Sequence, residues 1–386
     1  MAPVGAAVVA QIGTGEKGRG VDSEGRRLLK QPRGVRICKS GALLVADYGN
    51  NCVLKFKPGD VKGSVVAGEE GKVLPDIDPM KDIDKPNSGP LTLPEEEGML
   101  LKQPSDICED GDGAFLVLDT EECSVQRFAG ERGARGETLV PQGGKSVSKS
   151  IGDPAAVKNP RGVALAPDGA IVVCDTWSHR VLRYPPPNGP DAMEKPSVLA
   201  GEPNSWGAAA SKLAFPSSVA FASDGALLVA DTNNHRIQRF DMAAAGAGAE
   251  GVTVAGSSEG RQGSALSELD MPTGICVDPQ DGSILVTDRG NGRLLRFPCD
   301  SRAGTAAVVI AGPEVLQRPW GVCIAPGCGA IYVSDERRGV VLRLDPGDES
   351  PALLLPPRPA TVTPAEVDRP TPPEAQPPAL GVLDLD

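Results

Sequence analysis

Residues 213–240, LAFPSSVAFASDGALLVADTNNHRIQRF, hold the unit from which most of the chain is built. A proline, Pro216, opens the unit and is followed by an alternating apolar stretch that reads as a strand. The segment ASDGA then supplies the Asp and Gly of a tight reversal. A second strand, LLVAD, ends at Asp231, and a polar loop leads into a third strand carrying Arg239. Working outward from this stretch, the same register recurs six times. The prolines are Pro32, Pro104, Pro160, Pro216, Pro272 and Pro319, and the aspartates Asp47, Asp119, Asp175, Asp231, Asp288 and Asp335. Eight positions after each aspartate stands a basic residue: Lys55, Arg127, Arg183, Arg239, Arg296 or Arg343. A fourth strand, in forms such as VVAGEEG, SVLAGEP, VTVAGSS and VVIAGPE, closes units one, three, four and five, and ETLVPQG is a degenerate version in unit two.

Short antiparallel four-stranded units of this kind cannot bury both faces alone, so they stack around an axis. The expected fold is therefore all-β: a six-bladed β-propeller of four-stranded antiparallel blades over residues 1–345, followed by a disordered proline-rich acidic tail, 346–386. Unit six lacks a clear fourth strand after Leu344, whereas VVAQIGTGEKG near the N-terminus matches VVAGEEG. Residues 6–11 are thus expected to close blade six, with Ala352 to Leu355 as the competing segment.

The run DTNNHRIQRF, with DTWSHRVLRY one unit earlier, resembles the NHL repeat, whose Asn-His-Leu core corresponds here to Asn234, His235, Arg236 and Ile237. The resemblance spans roughly residues 6–345. It is strongest in units three to five and weaker in NNCVLKF, ECSVQRF and RGVVLRL of units one, two and six. It implies a six-bladed propeller and a range of roles: substrate recognition in ubiquitin ligases, RNA binding, extracellular sensing, and one metal-dependent amidating lyase. Lactonases and strictosidine synthase-like proteins have neighbouring folds. Fold does not choose among these activities.

The residues narrow the choice. A lyase of that kind needs several histidine ligands, and the chain has only His179 and His235, at equivalent positions in adjacent units, which points to a structural task. A lactonase-like site needs carboxylates and amides around the channel to hold calcium. The equivalent inner-strand positions are instead Arg36, Cys108, Ala164, Ala220, Cys276 and Cys323. The six aspartates, one per blade, read as structural repeat positions that accept backbone N–H groups and pair with Arg180, Arg236 or Arg293. No catalytic residue, metal ligand or cofactor is expected. The nine cysteines form no CxxC pair, and the start carries no basic region with a long apolar run, so a cytoplasmic chain with reduced thiols is expected.

With a net charge of −12, the chain as a whole repels phosphate backbones and anionic lipid, so neither DNA nor membrane is an expected partner. The variable loops on one face of the ring, the top, carry Arg33, Tyr48, Arg161, Trp177, Asn233, Arg289, Trp320 and Arg337 as candidate ligand-binding residues. Arginines and aromatics of this kind anchor protein interfaces and also single-stranded RNA. The leading reading is a non-enzymatic, monomeric interaction scaffold that binds a protein or peptide through the top face. RNA binding, a substrate-recognition subunit of a ubiquitin ligase, and a lactonase-like calcium-dependent hydrolase are the alternatives. The longest insertion, residues 69–99, has nine carboxylates against three lysines and is a candidate lid over the arginines.

Overall fold

The structure, a computed structural model, describes residues 7–16, 18, 20–69, 101–110, 113–131, 133–140, 157–189 and 195–345. Among them, strands form six antiparallel sheets of four, arranged as the blades of a propeller. Blade one comprises Pro32–Ile37, Leu43–Asp47, Cys52–Phe56 and Ser64–Gly68. Blade two comprises Pro104–Glu109, Phe115–Asp119, Ser124–Phe128 and Glu137–Val140, so the degenerate ETLV is a true outer strand. Blade three comprises Val163–Leu165, Ile171–Asp175, Arg180–Tyr184 and Ser197–Gly201. Blade four comprises Pro216–Phe221, Leu227–Asp231, Arg236–Phe240 and Val252–Gly256, and blade five Pro272–Val277, Ile284–Asp288, Arg293–Phe297 and Val308–Ala311. Blade six comprises Pro319–Ile324, Ile331–Asp335 and Val340–Asp345, and its outer strand is Ala7–Ile12, paired antiparallel with Val340–Asp345. Apart from Glu69, the acidic insertion lies outside the described residues. So does the segment 346–386, with the competing closing stretch 352–355.

The core is a ring of six wedges, each shared by two neighbouring blades. One contains Leu29, Val35, Ile37, Val45 and Leu54 of blade one packed with Cys323, Ala330 and Val341 of blade six. Equivalent wedges join each following pair of blades. The second strands lie between two partner strands and two neighbouring blades, which is why LLVAD, FLVLD and ILVTD are buried at every position and read as unbroken apolar runs. The VAG signature has a comparable cause. Gly256 ends its strand at φ +80°, and a Cβ there would fall 2.3 Å from the carbonyl oxygen of His235. All nine cysteines are free thiols. No helix among the described residues is long and apolar enough to cross a membrane.

Candidate binding site at the channel mouth

Each repeat aspartate anchors its blade to the chain that enters it. The carboxylates of Asp47, Asp119, Asp175, Asp231, Asp288 and Asp335 are buried and accept backbone N–H groups from Lys30, Lys102, Lys158, Ala214, Asp270 and Gln317 respectively. In blades three to five an arginine five residues later completes the anchor. Arg236, only 1% exposed, donates Nε to Asp231 at 2.8 Å, and its remaining N–H groups reach the carbonyls of Ala208, Ala209, Lys212 and Ser258. In blade two Ser124 occupies that position. Burial pushes the Asp119 carboxyl up to about 8, whereas Asp231, with Arg236 beside it, is raised by burial only to about 6. The two histidines also link blades. Nδ1 of His179 accepts the N–H of Phe215 at 3.2 Å, and Nδ1 of His235 accepts that of Met271 at 3.1 Å. Asn51 does the same for Gln103 in blade one, and burial lowers the His179 pKa.

The residue just after each aspartate decides what the top of the ring presents. In blades two, three and four it is a threonine whose hydroxyl donates to the next blade's proline carbonyl: Thr120 to Pro160 at 3.0 Å, Thr176 to Pro216 at 2.8 Å and Thr232 to Pro272 at 2.9 Å. In blades five, six and one it is Arg289, Glu336 and Tyr48. In blades five and six the fastening hydroxyl moves to the residue before the aspartate: Thr287 donates to the Trp320 carbonyl at 2.7 Å, and Ser334 to that of Arg33; in blade one that residue is Ala46, which carries no hydroxyl. Inner-strand glycines allow the blades to come this close. A Cβ on Gly274 would lie 2.3 Å from the Trp320 carbonyl oxygen. In blades two and four the same position is Asp106 and Ser218, whose side chains instead accept the N–H of Val163 and Ile275.

The large residues freed by this exchange meet over the channel. The Arg33 guanidinium carbon lies 3.4 Å from the centre of the Tyr48 ring and 4.1 Å from that of Trp320. Arg289 and Arg161 stand 5.3 and 5.9 Å from the Trp320 ring centre, within cation–π range. Trp320 is 5% exposed and forms the floor. Glu336 takes a forked contact from Arg289, at 2.5 and 3.2 Å, and lies 3.7 Å from both Arg33 and Arg318. Burial, together with the charges of Arg161 and Arg289, lowers the Arg33 pKa to about 10. Burial and Arg289 lower that of Arg161 as well. Nε of Arg33 and Nε of Arg161 are buried without a hydrogen-bond partner among the described residues.

Five of the eight candidate top-face residues therefore come together: Arg33, Tyr48, Arg161, Arg289 and Trp320. Trp177, Asn233 and Arg337 do not join them; each stands two places after its aspartate and is exposed. Glu336 and Arg318 escaped the sequence reading. The signal for Glu336 was present at the position after the aspartate, where a carboxylate in blade six follows an arginine in blade five. The channel below is also more polar than the inner-strand sequences suggest, because Arg36 and Asp106 line it. Only about 20 Å³ remains free there, room for a single water. Asp106 is the one carboxylate among the described residues that lines this space. Its two oxygens accept the N–H groups of Ile107 and Val163, and Arg36 and Arg161 share the space with it. That donor set does not fit a calcium ion, which needs six to eight oxygens. Among the described residues no group of three or more His, Cys, Asp or Glu side chains is placed to hold a metal.

Four stretches, residues 29–56, 158–184, 213–240 and 269–297, match the NHL repeat family. Comparison with curated proteins finds no match. Among solved structures, the chain is similar to a protein of unknown function from Bacteroides thetaiotaomicron, with 12% identity, 87% of this chain and 76% of that one covered, and a TM-score of 0.57. It is also similar to the gluconolactonase XC5397 from Xanthomonas campestris, with 14% identity, coverage of 88% and 98%, and a TM-score of 0.55. Virginiamycin B lyase from Staphylococcus aureus is similar at 12% identity, coverage of 82% and 94%, and a TM-score of 0.46. At these identities the likeness is one of fold. The repeat match and the ring of six blades together identify the chain as an NHL-repeat six-bladed β-propeller.

Proposed function

We propose that this propeller is an interaction module that binds a protein or peptide partner over the channel mouth on its top face. The observation that carries this reading is the cluster of Arg33, Arg161 and Arg289 around Trp320 and Tyr48, built by side chains from four different blades. Rigid aromatics and forked donors at the centre of a face are the composition of an interface hot spot. A deep small-molecule site would need an open cavity, and the channel beneath Trp320 is nearly filled.

The test compares affinity capture from native extract on wild type and on Arg161→Glu/Arg289→Ala, with and without RNase. Partners lost with the variant and indifferent to RNase support the reading. Retention of every partner by the variant overturns it. Loss of the partners on RNase treatment transfers the same face to RNA.

A further inference from the structure

The chemical class of the group that docks at the mouth follows from a mismatch of charge, and this inference rests on the channel-mouth reading above. Three arginines lie within 6 Å of one indole ring, yet among the described residues Glu336 is the only carboxylate that pairs with any of them. Arg161 has no ion pair among the described residues, and its Nε is buried and unpartnered. An unpartnered buried donor on a charged group is costly, and it is relieved by an acceptor that arrives from outside. Glu336 displays the kind of acceptor that fits: a carboxylate whose Oε1 takes both the Nε and Nη2 hydrogens of Arg289. We infer that the mouth recognises a carboxylate of an acidic peptide segment, which seats between Arg161 and Arg33 over Trp320 and draws the shared arginines away from Glu336.

Glu336 is on this account an internal stand-in for the ligand, weakening binding by occupying part of the positive site. Burial is the main cause of the lowered pKa values of Arg33 and Arg161, and the neighbouring arginine charges lower them further. A carboxylate is favoured over a nucleic acid by the channel, which has no space below Trp320 for an inserted base, and by the net charge of −12 against a long phosphate backbone. Recognition is then local: one or two carboxylates at the mouth, with the rest of the partner on the neutral or acidic surface.

The test measures fluorescence anisotropy with full-length protein and four rhodamine-labelled probes: the amidated peptide Gly-Glu-Ser-Glu-Gly, its amidated Gln counterpart, that Gln peptide with a free C-terminal carboxylate, and a short oligouridylate. At least one carboxylate-bearing peptide is expected to bind while the amidated Gln peptide does not, and comparison of the first and third separates side-chain from terminal carboxylates. Glu336→Gln, which removes a competing negative charge, is expected to bind about tenfold more tightly, and Arg161→Gln, which removes an attracting positive charge, about tenfold more weakly. Glu336→Gln should also melt at lower temperature, because its arginines lose their counter-charge, and should recover on adding the acidic peptide. The inference is overturned if Glu336→Gln binds neither carboxylate peptide at about 1 mM, the weak end of measurable affinity. It is equally overturned if Glu336→Gln binds more weakly than wild type, if the Gln amide binds as well, or if the oligouridylate binds best. If the peptides fail while Arg161→Glu/Arg289→Ala still loses its RNase-indifferent partners from extract, the carboxylate inference falls and the interaction module stands. If the variant also keeps its partners, both fall.

Discussion

Blades two to four and blades five, six and one use the same position, the residue after the repeat aspartate, for opposite purposes. In the first half Thr120, Thr176 and Thr232 bind each blade to the next. In the second half Arg289, Glu336 and Tyr48 point over the channel, while Thr287 and Ser334, two places earlier, do the binding between blades. In blades five and six a repeat position is thus released for recognition while a neighbouring residue takes over its structural hydrogen bond. The contrast also explains why the mouth is lopsided: its large side chains come from the second half, with Arg161 of blade three reaching in from the other side.

The largest expected effect tests how the second half is closed. Deleting residues 1–12 removes the outer strand of blade six and exposes the edge of Val340–Asp345, and the melting temperature should fall by many degrees. An unchanged melt would show that the closing strand contributes little. Next come the fasteners themselves. Thr232→Val leaves the Pro272 carbonyl without its hydroxyl donor, Thr287→Val removes a donor to the Trp320 carbonyl and the acceptor of the Gly274 N–H, and each should cost about 1–3 kcal/mol in urea unfolding. A large cost for one and none for the other would break the proposed exchange of positions.

A smaller effect lies in pH, within the first half. Asp119 has a folded pKa near 8 and Asp231 near 6, both above the unfolded value of about 3.9. Each then favours folding fully below the unfolded value and loses that contribution as pH rises through its folded value. The stability difference between wild type and Asp119→Asn should keep shrinking up to about pH 8, while that for Asp231→Asn should level off by about pH 7. Chemical denaturation at three pH values checks this, and parallel curves for the two variants would refute it. The smallest effect contrasts two residues of blade three. Arg161→Gln, at the mouth, removes a buried N–H that has no partner among the described residues and should raise stability by up to about 1 kcal/mol, whereas Thr176→Val should lower it like the other fasteners.

The fold was legible because its determinants repeat in linear register. Pro216, Asp231 and Arg239 recur at fixed offsets, and the burial of LLVAD between two blades leaves an unbroken apolar run in the sequence. The site was legible only in part. Arg33, Arg161 and Trp320 follow the opening prolines and could be grouped by position. Whether a loop residue turns toward the axis or toward solvent depends on the short turn after each aspartate, such as Thr176–Ser178, which directs Thr176 inward and leaves Trp177 57% exposed. No apolar period records that turn, so Trp177, Asn233 and Arg337 were grouped with residues they do not meet. Glu336 was hidden for a related reason. Its role lies in contacts with Arg318 of the same blade and with Arg289 and Arg33, which are remote in sequence and close only after the ring forms.

The pairing of Ala7–Ile12 with Val340–Asp345 also sets a schedule for biosynthesis. The first strand leaves the ribosome long before its partner exists, and Asp345 is added 338 positions after Ala7. At roughly 5–20 residues per second this strand waits about 20–70 s with its hydrogen-bonding edge unmatched. During that interval the five later blades can stack in order, but the circle stays open, and a nascent chain is most exposed to chaperones and to mispairing with another copy until residue 345 has been added.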